Sequence, residues 1–269
     1  MLVSIITSLY RTDKYLSDFT KNLEIFCKEL SMAKLDFEIL VIANEPTEKE
    51  KEFANIFSHY SWFKFVTTPK ESLYATWNRG VKLAQGEIIG FWNVDDIRFS
   101  LAVIEAKELF KQGAELVYFP FFVKKYFKIG LFYIPLFKQK INKQIPQYSV
   151  ENQILFQQGM LLGPFFMFTK ELYKKTGGFD EQLKIVGDFD WSARAVKKAN
   201  NIIKAKNLAG IFRVDGGGLS SGSNPRRVAE NNIVYIRNNA WDKLTTAEDG
   251  IIKQYRSNYY LVNGEYKKI

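Results

Sequence analysis

Ile88-Ile89-Gly90-Phe91-Trp92 followed by Asn93-Val94-Asp95-Asp96 is the stretch from which the fold can be read. The apolar run predicts a strand over Glu87 to Trp92, and the strand ends in two adjacent carboxylates. In open α/β sheets ligands gather beyond the carboxyl ends of strands, so Asp95 and Asp96 stand where a site is expected. Toward the N-terminus the pattern alternates. A helix is predicted from Tyr74 to Ala84 with Gly86 after it, a strand at Phe63 to Val66, and a helix around Glu48 to His59. Further back come a strand at Phe37 to Ala43, a helical stripe through Leu23, Phe26, Cys27 and Leu30, and a first strand at Val3 to Ser8. Strands alternating with helices of this length imply an α/β fold with a largely parallel central sheet flanked by helices.

Toward the C-terminus, Val103, Ala106, Leu109 and Phe110 recur at helical spacing before a strand at Glu115 to Pro120. The composition then changes. Tyr126, Phe127, Phe132, Tyr133 and Phe137 are interleaved with Lys124, Lys125, Lys128, Lys138, Lys140 and Lys143, which reads as an inserted loop or helix pair. Gly159 to Met167 reads as a buried strand with a break, and Lys170 to Lys175 as a short helix that Gly177 can terminate in the left-handed conformation. One catalytic domain over 1–238, with an insertion at about 121–148, and a polar, Tyr-rich extension over 239–269 account for the length.

A chain with 46% hydrophobic and 16% aromatic residues carries enough apolar surface to fold, which excludes a disordered protein. The lone cysteine, Cys27, excludes an intrachain disulfide framework, and its helical stripe is the usual home of a core thiol. The lone histidine, His59, has no His or Cys near it, so zinc of the usual spacing is excluded and any metal must be held by oxygen. Residues 2–7 open into a β-branched run without a basic leader, and no stretch reaches the ~18 apolar residues of a spanning helix. The expectation is a cytoplasmic protein, at the inner face of the membrane if the aromatic and basic segment docks there. The net charge of +9 favours an anionic partner without choosing among nucleotide phosphates, acidic lipid and nucleic acid.

The carboxylates carry the chemistry. Asp95 and Asp96 at a strand end offer hard oxygen ligands suited to Mg²⁺ or Mn²⁺ bridging phosphates, although such a pair taken alone serves equally as a turn or helix cap. A second acidic block, Gly177-Gly178-Phe179-Asp180-Glu181 and then Gly187-Asp188-Phe189-Asp190, places Asp188 just before a helical run, where a carboxylate could project into a cleft or simply cap the helix. Group transfer from a diphosphate needs both parts: a cation or basic clamp for the leaving group, and a carboxylate to take the acceptor's proton.

The order of four blocks resembles glycosyltransferase family 2 over roughly residues 1–222: Val3-Ser4-Ile5-Ile6-Thr7-Ser8; Asn78-Arg79-Gly80 with Ala84 and Gly86; Asn93-Val94-Asp95-Asp96; and Gly177-Gly178-Phe179-Asp180 with Asp188-Phe189-Asp190. The resemblance implies a GT-A fold, a nucleotide-diphospho-sugar donor, a divalent cation (Mn²⁺ or Mg²⁺) and inversion at the anomeric carbon by single displacement. By position it implies Thr7, Ser8, Asn44, Arg79, Asn93 and Asp95 for the nucleotide-sugar, Asp95 for the metal and Asp188 as general base. Asp215, where relatives often have histidine, is a second candidate metal ligand. The Gly216 to Ser223 segment with Arg226 and Arg227 reads as a lid over the diphosphate, or as an ordinary surface loop. The sequence departs from the family pattern at Ala43-Asn44, at Asn93 and at Gly187, where relatives commonly carry Asp-Asp, Asp and Glu.

UDP is the expected nucleotide on family frequency alone, with a hexosyl or N-acetylhexosaminyl group moved to a hydroxyl of a glycan or lipid-linked acceptor in surface polysaccharide synthesis. A non-catalytic relative is the alternative that the departures leave open, but both Asp95 and Asp188 are retained. A nucleic-acid binder would explain the charge and the 121–143 aromatics but neither acidic block, so no nucleic acid is expected. A membrane-surface role for 121–143 is compatible with an enzyme, as a docking face for its acceptor.

Overall fold

A computed structural model describes residues 1–129, 132–141, 145–215, 224–244, 259–262 and 265–268; for 127–129, 132–141, Trp241 and the last two segments it describes the backbone. The first half follows the predicted alternation. β1 (Val3–Leu9), α1 (Asp13–Met32), β2 (Phe37–Asn44), α2 (Glu48–Phe57), β3 (Phe63–Thr68), α3 (Leu73–Leu83) and β4 (Ile88–Phe91) come in order. α1 buries Leu16, Phe19, Leu23, Phe26, Cys27 and Leu30, the stripe that helical periodicity requires. α2 starts with a capping box in which Thr47 and Glu50 satisfy each other's backbone amides. Gly80 lets α3 lie close to the sheet, since a Cβ there would stand 2.6 Å from Ile6 Cγ2.

The second half is β5 (Ile97–Arg98), α4 (Ser100–Lys111), β6 (Leu116–Tyr118), β7 (Phe121–Ile129), β8 (Phe132–Ile141), α5 (Gln153–Gln157), β9 (Met167–Thr169), α6 (Lys170–Thr176), α7 (Gly187–Ala195), β10 (Ile202–Lys204), β11 (Gly210–Val214) and α8 (Pro225–Arg237). Seven strands form the central sheet in the order β10-β6-β9-β4-β1-β2-β3. Every pairing in it is parallel except those of β9, which runs antiparallel between β4 and β6. A second sheet has the order β5-β11-β7-β8. In the extension, a turn of 3₁₀ helix at Trp241–Lys243 is described, and a hairpin of β12 (Tyr259–Val262) with β13 (Glu265–Lys268).

Three expectations are corrected. Residues 121–129 and 132–141 are two paired β-strands, not a loop or helix pair: β7 and β8 pair antiparallel from Phe121↔Ile141 to Ile129↔Phe132. Aromatic and β-branched residues favour a pleated surface, a preference that the lysines between them obscured. Pro135 fits because β8 is an edge strand and the register shifts beside it, between Lys125 and Tyr126. The strand expected from Gly159 to Met167 is present only at Met167–Thr169. Turns occupy the apolar run before it, where Gly163 has φ +70° and a Cβ would meet the Phe121 ring at 2.6 Å. β1 runs through Thr7 and Ser8 to Leu9, pairing Thr7 with Val41, so the first strand does not end at those two residues.

Candidate active site

The loop after β4 carries the first group of functional side chains. Asp95 is half-buried, and burial together with the charge of Asp215 raises its carboxyl above the usual range. Asp215 follows directly on β11 and is 6% exposed. Its Oδ2 accepts from the Tyr15 hydroxyl at 2.9 Å and lies 3.3 Å from Arg213 Nε and 3.9 Å from Lys14 Nζ. Burial and Asp215 together push the Tyr15 hydroxyl upward. Arg213 stacks over the Tyr126 ring at 4.3 Å, so the β7 hairpin backs this corner. Asp96, unlike its neighbour, is turned inward. It accepts the Arg213 amide at 2.9 Å, and the Asn93 amide nitrogen stands 3.5 Å from its other oxygen. Burial, with Asp95 beside it, drives the Asp96 carboxyl well above the usual range. Asp96 thus ties the β4 loop to the strand that leads into Asp215.

Asn44 closes β2 in a buried network. Its amide nitrogen stands 3.0 Å from Thr76 Oγ1, and its oxygen accepts the Glu71 amide at 3.1 Å. Glu71 in turn holds Arg79 by two bonds of 2.9 and 2.8 Å, leaving Arg79 at an exposed rim. Thr7 has no exposed surface and its Oγ1 has no hydrogen-bond partner among the described residues. Ser8 is half-buried. Arg226 and Arg227 are half-buried in the first turn of α8, after the Asn224 cap. The expected lid, 216–223, lies outside the described residues.

The Gly-Gly-Phe-Asp block is built to hold the second acidic group. Gly177 ends α6 at φ +83°, a conformation that L side chains rarely adopt. A Cβ at Gly178 would stand 2.9 Å from Asn78 Oδ1. Asn78 uses its whole amide here: it donates to the Phe179 carbonyl and Glu181 Oε1, and accepts from the Tyr173 hydroxyl and the Phe179 amide. Phe179 is buried against Tyr74, Trp77, Phe91 and Trp191. Asp180 pairs with Arg237 at 2.8 Å.

Asp188 lies within the first turn of α7, one residue inside a helix that begins at Gly187, not just before it. It is half-buried. Its Oδ1 accepts the Phe189 amide at 2.8 Å and lies 3.3 Å from the Tyr74 hydroxyl, which also donates to the Ile185 carbonyl at 2.8 Å. Burial pushes its carboxyl up to about 6, against the pull of those bonds. Asp190 is buried instead, ion-paired with Arg194 and Arg237. The departure at Gly187 has a local reason, since a Cβ would stand 2.6 Å from the Tyr74 ring. Gly187→Ala is therefore expected to lower stability by ~1–3 kcal/mol through overpacking. Thermal melting checks this, and an unchanged midpoint would show that the ring gives way freely.

The sequence profile of glycosyl transferase family 2 matches residues 4–177. The chain belongs to this family. It is a nucleotide-sugar glycosyltransferase, and the matched span includes Asp95 and ends before Asp188. No curated protein matches the chain. Among solved structures, S. aureus TarS 1-349 in complex with UDP-GlcNAc superposes with a TM-score of 0.64 at 17% identity, over 95% of this chain and 72% of that one. The same fragment in complex with UDP gives 0.62 at 17% identity, over 95% and 71%. S. aureus TarS as a longer chain gives 0.59 at 17% identity, over 96% of this glycosyltransferase and 43% of TarS. These likenesses establish the GT-A fold. Tyr15, Tyr74, Asn78 and Arg213 escaped the sequence reading; only Asn78 lay inside a recognised block. No helix among the described residues is long and apolar enough to cross a membrane.

Proposed function

We propose that the enzyme moves a sugar, with inversion, from a UDP-sugar to a hydroxyl of a glycan or lipid-linked acceptor, with Asp188 as general base. The observation that carries this reading is the Asp188 carboxylate, half-buried in the first turn of α7, oriented by Tyr74 and raised to about 6. A base is most effective when its pKa lies near working pH. Tyr74 stands in the first turn of α3, after the carboxyl end of β3, the rim where ligands gather in such sheets. The acceptor oxygen attacks the anomeric carbon and loses its proton to Asp188, while the bond from that carbon to the diphosphate oxygen breaks and the nucleotide leaves with the electron pair. UDP as the nucleotide is supported by the UDP and UDP-GlcNAc complexes of TarS.

Asp95 and Asp215 form an oxygen donor set that fits Mg²⁺ or Mn²⁺. Their like charges oppose each other, which a divalent cation would relieve. Among the described residues no group of three or more His, Cys, Asp or Glu could hold a metal ion. The two carboxylates are the residues that would hold the ion. When bound, the ion would supply charge to stabilise the departing diphosphate. Lys14 and Arg213 contact Asp215, and Arg226 and Arg227, in the first turn of α8, would approach the phosphates. Asp95→Ala is expected to abolish the Mn²⁺-dependent gain in UDP affinity. Calorimetry with and without Mn²⁺ reads this, and an undiminished gain would remove Asp95 from the ligand set.

The acceptor class, surface-polysaccharide synthesis and a membrane contact through the β7–β8 hairpin belong to the same proposal. The side chains of Phe132, Tyr133 and Phe137, on which the membrane contact depends, lie outside the described ones.

A further inference from the structure

Glu230, in the second turn of α8, is fully buried. Its carboxylate accepts three successive backbone amides: Lys184 at 3.0 Å, Ile185 at 2.8 Å and Val186 at 3.2 Å. These residues lead into α7, whose preceding residue, Val186, brings no side-chain cap. A carboxylate from another helix therefore supplies the acceptor for three backbone amides in the turn before α7, and so fixes the entry of the chain into that helix. The segment so held ends two residues before Asp188.

We propose that Glu230 is a positioning residue, which fixes the 184–186 backbone and thereby the orientation and charge environment of the base. This rests on the reading of Asp188 given above. The titratable groups around Asp188 are Tyr74 from α3 and Glu230 from α8, while Asp190 on its own helix is taken up by Arg194 and Arg237. Arg226 and Arg227 lie four and three residues before Glu230, on the same side of α8. One rigid element thus joins the arginines proposed for the diphosphate to the carboxylate that sets the base.

Glu230→Gln keeps the shape and can leave its oxygen where one carboxylate oxygen takes all three amides, but it removes the negative charge and turns an NH₂ group toward the Lys184 amide, which the other oxygen accepts. Its expected result is about a tenfold fall in kcat for UDP release from UDP-GlcNAc with little change in KM, because misplacement of a reacting group costs rate rather than donor binding. The Asp188 resonance in a ¹³C carboxyl NMR titration, identified by its loss in Asp188→Asn and needing no substrate, should move down by about half a pH unit once the neighbouring negative charge is gone. A lowered melting temperature with kcat and the Asp188 titration both unchanged would reduce Glu230 to a structural residue and overturn the proposal. Should Glu230→Gln not fold, Glu230→Asp decides: retracting the carboxylate should speed hydrogen exchange at 184–186 and slow UDP release, and wild-type values of both would overturn it. Asp188→Asn in the same assays separates the two ideas. Full turnover there removes the base assignment itself; loss there with full turnover in Glu230→Gln removes only the positioning role.

Discussion

Asp188→Asn is expected to reduce sugar transfer by roughly 10² to 10⁴-fold, the contribution of a positioned base. UDP affinity should stay near wild type, because amide and carboxylate have nearly the same shape. The pH dependence follows from the carboxyl being pushed up to about 6 by burial. Only the ionised form accepts a proton, so kcat/KM should rise with pH along an acid limb near 6 and flatten above it. Stability runs the other way. A carboxyl whose pKa is higher folded than unfolded contributes stability that is present below its unfolded value, about 3.9, and is lost as pH rises through 6. The melting temperature of Asp188→Asn should therefore gain on that of the wild type between pH 4 and about 7. Full transfer by Asp188→Asn on its acceptor would refute the assignment. Asp190 cannot inherit the role, because its carboxylate is buried between two guanidinium groups.

Arg237→Ala should produce the largest loss of stability, about 3 kcal/mol in urea unfolding. Arg237 contacts both Asp180 and Asp190, whose side chains are 10% and 2% exposed. Without it, Asp190 keeps Arg194 but loses its second guanidinium, and Asp180 loses its ion pair with Arg237. A charge already taken from water and then deprived of its partner costs far more than the pair contributed. Arg237→Lys should recover only part of the loss, since a single ammonium cannot serve two carboxylates with a planar fork. A change below about 1 kcal/mol would show that water reaches the pair.

The alternation of β1 through β4 with α1 to α3 was legible because each element has a clear period and one buried face. Thus the stripe of α1 and the strand before Asp95 appear nearly where the sequence places them. The β7–β8 hairpin was hidden because lysines interrupt the aromatics on both strands, which erases apolar alternation. Asp95 and Asp188 could be singled out by their place beside strand and helix ends. Within each block the family resemblance chose Asp95 and Asp188, and what could not be read was what holds the neighbouring carboxylate. Asp96 differs from Asp95 through the Arg213 amide, and Asp190 from Asp188 through Arg237, both contributed by distant segments, with Arg194 one turn further along the same helix. Tyr74 and Glu230 were invisible for the same reason. Nothing in the local sequence of α3 or α8 announces a contact with residues 184–188.

The antiparallel strand in the middle of the sheet has a consequence for how the chain comes together. β4 and β6 do not pair; β9, residues Met167–Thr169, fills the gap between them. During synthesis β1 to β4 can assemble as soon as they emerge, since their partners are close in sequence. β6 must wait, unpaired, until about fifty further residues have left the ribosome to supply β9, and longer for β10. The sheet is thus completed from its centre late, and nascent chains that stop short of β9 carry an apolar edge strand open to other chains.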